Sequence, residues 1–227
     1  SIRSYFDVNE FNIIINCAAY TKVDKAEENQ KQANLINHTA VRELATIAKT
    51  KNIKLIHIST DFVFNGLNNK PYTENDATSP LNIYGETKLA GEKAVMSISK
   101  SNSLIIRTGW VYSEFGNNFV KTMLRLSETR DTLSIVADQI GGPTPARGIA
   151  SACLMIAQQL QDNPSKSGTY HYSGEPSVSW ADFASEIFTQ AARPVTVIPI
   201  TTAEYTTPAK RPLNSRIDCR TTVSTFG

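Results

Sequence analysis

The chain has 227 residues, of which 41% are hydrophobic and 19% charged, and its formal net charge is +2. A chain this long can bury about 70% of its unfolded surface and needs no covalent staples. The small net charge excludes a general basic field for nucleic acid, and no apolar run approaches the roughly 18 residues that a membrane helix needs.

Strands and helices alternate along the sequence. Phe11 to Asn16 (FNIIIN) is a short apolar run with polar ends, which predicts a buried strand. Ala33 to Thr50 has helical spacing of apolar residues. Lys54 to Ser59 predicts the next strand, and a polar excursion with Gly66, Asn68, Asn69 and Pro71 follows. Pro80 precedes a predicted helix from Asn82 to Ile98. Strands are expected at 103–107, 133–136, 168–172 and 195–200, with helices at 118–127, 146–160 and 179–191. Ser179 and Asp182 have the spacing of a capping box. Such alternation implies parallel βαβ units, hence a doubly wound α/β fold that binds ligands at the carboxyl ends of its strands.

The cysteines are Cys17, Cys153 and Cys219. Their odd count and spacing match no zinc pattern and predict reduced thiols in a cytoplasmic setting. His38, His57 and His171 are scattered, so no metal site is expected from them.

Tyr84 and Lys88 stand four residues apart in one predicted helix, on one face and one turn apart. A phenol has a reference pKa of about 10. A nearby ammonium favours the phenolate and lowers that value, so the pair can give a proton to a carbonyl oxygen as hydride reaches its carbon. Two surface residues can have the same spacing without a function. Thr60 ends the preceding strand, where its hydroxyl could reach the same oxygen or simply cap a turn. Asn16–Cys17–Ala18–Ala19 ends an earlier strand with small residues, which would admit a flat ring or a ribose, or merely pack tightly.

These segments occur in order with Ser59–Thr60–Asp61–Phe62–Val63–Phe64, Pro80 to Lys88 and Arg107–Thr108–Gly109–Trp110–Val111–Tyr112. The chain thereby resembles the extended short-chain dehydrogenase/reductase family. Within it, the chain looks most like the dTDP-4-dehydrorhamnose reductases, as do Gly116 to Phe119, Asp138 to Thr144 and Arg211 to Arg216. The resemblance implies Tyr84 as general acid, Lys88 as pKa tuner and ribose anchor, and Thr60 as the hydroxyl that orients the carbonyl. Ala18, Ala19 and Thr21 would line the cofactor, NADPH or NADH. Asp61, Trp110, Asn118 and Arg211 would meet the sugar nucleotide, although Trp110 could be a core aromatic and Arg211 a solvated charge. The implied reaction reduces the C4 ketone of dTDP-4-dehydro-L-rhamnose, a step of deoxysugar and cell-surface polysaccharide synthesis. A homodimer with a divalent ion such as Mg at its interface is a further implication.

Two alternatives stay open. One is a reductase of another nucleotide ketosugar. The other is a non-catalytic subunit like the regulatory subunit of methionine adenosyltransferase. A dehydratase would carry Asp-Glu after the threonine, but Phe62 follows Asp61 here. The family's glycine-rich turn has no counterpart, since no G-x-x-G-x-x-G occurs. That turn brings backbone amides to a pyrophosphate, so the chain as it stands is expected to be part of a longer polypeptide and to bind dinucleotide poorly, leaving it inactive. The expected domains are a dinucleotide-binding sheet from 1–112 and 133–175, and a smaller sugar-nucleotide cap from 113–132 and 176–227.

Overall fold

A computed structural model describes residues 2–227. Its first half contains α1 (Ile2–Val8), β1 (Ile13–Asn16), α2 (Val23–Glu28) and α3 (Gln30–Asn34). A π-turn at Leu35–Thr39 leads from α3 into α4 (Ala40–Thr50), followed by β2 (Lys54–Thr60), α5 (Ile83–Ser99) and β3 (Ser103–Thr108). The second half contains β4 (Val111–Tyr112), α6 (Phe119–Leu126), β5 (Thr132–Val136), β6 (Ile140–Gly141), β7 (Thr144–Pro145) and α7 (Ala146–Asp162). It closes with β8 (Gly168–His171), β9 (Val178–Ser179), α8 (Trp180–Gln190), β10 (Thr196–Ile200) and α9 (Arg220–Phe226).

Strands β1, β2, β3 and β8 form one parallel sheet in that order. Strand alternation sends successive residues to opposite faces, and both faces are apolar. Leu55 and Ile105 pack with Val41, Ala45 and Ala48 of α4 and Val95 of α5. Ile56, Leu104 and Ile106 pack with Ile149, Cys153, Ile156 and Leu160 of α7 and with Phe226 of α9. Helices therefore cover both faces, as expected for a doubly wound sheet.

A second unit stands beside this sheet. There β5 pairs in parallel with β10 over five residues. Met123 of α6, Leu133 of β5 and Ala184, Ile187 and Phe188 of α8 form its core. The capping box at the start of α8 is present, with Ser179 and Asp182 bonded to each other's backbone.

The structure moves two of the expected domain boundaries. Residues 133–136 are expected in the sheet domain, but Leu133 points into the core shared with α6 and α8. Residues 220–226 were assigned to the cap, but Phe226 packs edge-on against Tyr170 of the main sheet. In both cases the apolar side chain follows the core it can fill. Helices α1, α2 and α9, and α3 before Ala33, lie outside the elements expected from the sequence. Over α2 and α3 the only buried residues are Ala26 and Ala33, too few to give an apolar stripe.

A charged pair is sealed into this core. Arg107 of β3 donates from Nη2 to Glu92 Oε2 of α5 at 2.8 Å and from Nε to both carboxylate oxygens at 3.1 and 3.2 Å. Their side chains are 7% and 4% exposed. Ser59 of β2 donates a short hydrogen bond to the same carboxylate. Removing one partner leaves a buried charge uncompensated. Glu92→Ala is therefore expected to cost about 3–5 kcal/mol, read as a lower midpoint in urea unfolding.

Candidate active site

The site begins with the turn that follows β2. Thr60 Oγ1 accepts from Phe62 N at 3.2 Å and donates to Asp61 Oδ1 at 2.9 Å. Asn82 caps α5, its Oδ1 accepting from Gly85 N at 2.8 Å. A Cβ at Gly85 would collide with the carbonyl oxygen of Phe62, so glycine lets the first turn of α5 lie against this segment. The Tyr84 ring meets Phe62 edge-on at 5.7 Å. One turn later, Lys88 Nζ donates to the Ile58 carbonyl at 2.6 Å.

These residues open onto a cleft of about 720 Å³ at the carboxyl ends of β1, β2 and β3. Cys17, Ala19 and Thr21 line one side of it, and Thr60, Asp61, Tyr84 and Lys88 its floor. Ile15, Ile58, Ile149, Ala150 and Cys153 form an apolar wall. Trp110 and Trp180 stack at the remaining side, 3.4 Å between centroids and 4° apart in plane, one from the sheet unit and one from the cap. Asn37, placed by the π-turn, accepts from Tyr20 N at 2.8 Å and donates to Thr87 Oγ1 at 3.1 Å, tying the loop after β1 to α5.

Burial dominates the electrostatics. Lys88 is 2% exposed, and desolvation lowers its pKa to about 8, with Glu92 opposing. Tyr84 is half-buried as a residue, but desolvation at its hydroxyl pushes it up to about 12. The Thr60 hydroxyl pulls that value down without a hydrogen bond of good geometry, and the charge of Asp61 raises it. Lys88 is not among the influences on Tyr84, and its ammonium donates to the Ile58 carbonyl. Asp61 is 2% exposed, and burial raises it to about 6 against hydrogen bonds from Thr60 and the influence of Ser215. The Ser215 hydroxyl lies near the carboxylate but misses hydrogen-bond geometry, so Oδ2 has no partner. A Cβ at Gly109 would run into this carboxylate, which makes glycine a requirement there.

Comparison with known proteins decides the family. The family model described as the RmlD substrate-binding domain matches residues 1–227. This chain belongs to that family. The dTDP-4-dehydrorhamnose reductase of Aggregatibacter actinomycetemcomitans is 46% identical over 233 residues, covering 100% of this chain and 79% of that protein. The protein of the same name from Salmonella typhimurium is 43% identical over 213 residues, covering 91% of this chain and 71% of that protein. Among solved structures, a dTDP-4-dehydrorhamnose reductase from Bacillus anthracis in complex with NADP superposes with a TM-score of 0.91. It has 40% identity and covers 99% of this chain and 78% of that one. RmlD-family membership therefore agrees with the extended short-chain dehydrogenase/reductase resemblance and the Rossmann-like fold read from the sequence.

On this RmlD-family scaffold the cleft brings together seven of the residues singled out in the sequence: Ala19, Thr21, Thr60, Asp61, Tyr84, Lys88 and Trp110. Three others lie outside its lining. Ala18 donates its amide to Asn16 Oδ1 at 3.2 Å. Asn118 caps α6, accepting from Lys121 N at 3.1 Å and donating to the Ser113 carbonyl at 2.6 Å. Arg211 grips Asp24 of α2 at 2.8 and 3.0 Å and also bonds Thr207 and the Ala209 carbonyl. Trp180 was read only as part of a helix start. Cys17 belonged to a motif already noted but was given no role, and nothing in the sequence pointed to Cys153.

The buried carboxyl gives a pH-dependent expectation. Its folded pKa lies above its unfolded one, so its contribution to stability is favourable in acid and is lost as pH rises through about 6. Asp61→Asn is therefore expected to be more stable than wild type above that pH, by up to about 3 kcal/mol, and to lose the advantage in acid. An equal difference at all pH values in chemical denaturation would show that Asp61 does not titrate there.

Cys17 offers a second check. It is exposed and lines the cleft, and burial of its thiol raises its pKa despite Lys88. Its alkylation should speed up with rising pH and slow when a dinucleotide fills the cleft. Mass spectrometry of the labelled cysteine reads both effects.

Proposed function

We propose that this chain reduces the C4 ketone of dTDP-4-dehydro-L-rhamnose to dTDP-L-rhamnose with NADPH or NADH. The observation that carries this reading is the convergence of Tyr84, Thr60 and Lys88 on one cleft, in a chain 46% identical along its length to a dTDP-4-dehydrorhamnose reductase.

The cleft suits a nicotinamide. Its apolar wall fits a flat ring, and the small side chains of Cys17 and Ala19 leave room beside β1. No glycine-rich pyrophosphate turn occurs in these residues, so the fit concerns the nicotinamide end alone. Bound there, the reduced cofactor supplies the hydride. Tyr84, kept protonated by its high pKa, donates a proton to the carbonyl oxygen as negative charge builds on it. Thr60, in the lining of the same cleft, orients that carbonyl oxygen. Lys88, buried and held by Ile58 O, places a positive charge beneath the site that favours the developing alkoxide. The stacked tryptophans bridge the two units beside the floor and exclude water from the sugar.

Among the described residues, no group of three or more His, Cys, Asp or Glu side chains could hold a metal ion. The divalent ion implied by the resemblance would thus take ligands from a second copy, in the homodimer implied with it. Among the described residues no helix is long and apolar enough to cross a membrane, and all three cysteines are free, which supports a reducing compartment such as the cytoplasm.

One observation favours a second reading. The dTDP-4-keto-6-deoxy-D-glucose reductase of Streptomyces niveus is 37% identical over 188 residues, so a different ketosugar is the alternative substrate. The test is cofactor oxidation with each ketosugar, using the full-length gene product and its Tyr84→Phe variant. Turnover of the rhamnose precursor, with a loss of about 10² or more in the variant, supports the proposal. Turnover of the other sugar alone moves the assignment, and a folded, cofactor-binding protein inert towards both points to a regulatory subunit.

A further inference from the structure

Trp110 is held in a state that it would not keep by itself. Its backbone lies at φ of +50°, where a bulky side chain crowds its own main chain. Such a residue persists only where its surroundings fix it. Its carbonyl accepts from Thr144 N at 3.1 Å, which ties the backbone but not the ring. Three further contacts meet the indole, each from a different residue.

The first contact is on the face. Trp180 lies over it with 3.4 Å between centroids and 4° between planes. Aromatic pairs prefer offset or edge-on arrangements to full overlap, so this overlap is imposed by the elements that carry the two rings. The second is at the nitrogen. An indole N–H can only donate, and it donates to Ser215 Oγ at 3.1 Å. The Ser215 hydroxyl donates in turn to the Ile140 carbonyl at 3.3 Å, so it meets the indole as an acceptor. The third is at the edge. A Cβ at Gly141 would collide with the nitrogen side of the indole and with the Ser215 hydroxyl, so glycine lets the ring settle there.

All three contacts lead back to β6. It carries Gly141, and its Ile140 carbonyl also accepts from Ser215 N at 2.8 Å. It pairs with β9, whose last residue, Ser179, caps the helix that begins at Trp180. One two-residue strand therefore sets the face, the nitrogen and the edge of the ring together. We propose that Trp180, Ser215 and Gly141 form a clamp that positions Trp110 as the wall of the sugar subsite, and that they govern sugar affinity through that ring. The proposal rests on the reductase reading for the identity of the sugar. Trp180 itself lines the cleft, so a direct contact between Trp180 and the sugar is the rival account.

The test has two arms, both on the full-length protein. The first needs no ligand. Trp110 and Trp180 are the two tryptophans of this sequence, and stacked indoles couple into a paired band in far-ultraviolet circular dichroism. Wild type minus Trp180→Phe and wild type minus Trp110→Phe should show the same couplet. Ser215→Ala and Gly141→Ala should each weaken it, and a couplet that ignores both overturns the clamp whatever the enzyme reduces. The second arm measures dissociation constants for dTDP-L-rhamnose and for dTDP by calorimetry, without turnover. Trp180→Leu, Ser215→Ala and Gly141→Ala should each weaken the sugar nucleotide about fivefold to tenfold, within the worth of a stacked aromatic pair. Binding of dTDP should not change, which also shows that the variants are folded. In a Trp110→Ala background none of the three should weaken the sugar nucleotide further. A loss from Trp180→Leu that persists in that background makes Trp180 a sugar contact and refutes the clamp, as does an equal loss towards dTDP in a folded variant. Should Trp180→Leu fail to fold, Ser215→Ala and Gly141→Ala decide the same comparison. If wild type binds dTDP-L-rhamnose no more tightly than dTDP, the reductase reading fails for this sugar and the couplet alone decides the clamp.

Discussion

The bond between Arg107 and Glu92 is the constraint on which the site depends. Tyr84, Lys88 and Glu92 recur every four residues along α5, so they form one stripe down a single helical face. The lower end of that stripe is pinned to β3 by the Arg107 guanidinium. The same carboxylate receives the hydroxyl of Ser59, the residue before Thr60. One buried carboxylate thus fixes the rotation and height of α5 against two strands, and with them the distance from Tyr84 to Thr60. A buried ion pair adds little net stability over a well-packed apolar substitute. Its use here is geometric, since sliding α5 by one residue would break the pair and turn the stripe away from the cleft. Arg107 is itself packed over the Phe64 ring at 5.1 Å and lies 3.5 Å from His171 Nε2. The neighbouring strand and the turn after β2 are thereby drawn into the same lock.

The electrostatics above this lock come from exclusion of water. Lys88 loses affinity for its proton and Tyr84 gains affinity, both mainly through burial. An ammonium held on a carbonyl oxygen has its charge directed at a fixed dipole. Burial thus keeps the Tyr84 phenol protonated, and the Lys88 ammonium is held on the Ile58 carbonyl.

What could be read from the sequence follows the range of each interaction. The Tyr84 and Lys88 pair was legible because helical spacing is local, and so were Thr60 at a strand end and the Ser179 capping box. The main strands were legible because both faces of a parallel sheet are apolar. The Arg107–Glu92 bond joins elements that no periodic pattern connects, so nothing marked it. Asn118 and Arg211 owe their expected ligand contacts to the family resemblance. In the structure a helix cap claims the first and Asp24 of α2 claims the second. Strand β5 looked like part of the main sheet because sequence order does not reveal which core a strand will join. Trp180 escaped because its partner, Trp110, lies far off in the chain.

The buried polar atoms left without partners point to the same cleft. Well-folded interiors leave few polar atoms without partners, and each exception calls for a cause. Among the described residues the buried side-chain atoms without hydrogen-bond partners are His57 Nε2, Asp61 Oδ2, Thr108 Oγ1 and Glu74 Oε1. Thr108 ends β3, Asp61 follows the end of β2, and His57 lies inside β2, paired with Asn16 at the end of β1. Trp110, two residues beyond Thr108, adopts φ of +50°, a backbone state that bulky residues avoid. Asp61, Thr108 and the strained Trp110 therefore lie together at the carboxyl ends of two neighbouring strands, in the lining of the cleft floored by Tyr84 and Lys88, whereas His57 and Glu74 lie outside that lining. The stability forgone there is recovered in the apolar layers on either side of the sheet, as expected where a fold keeps costly groups for chemistry rather than for packing.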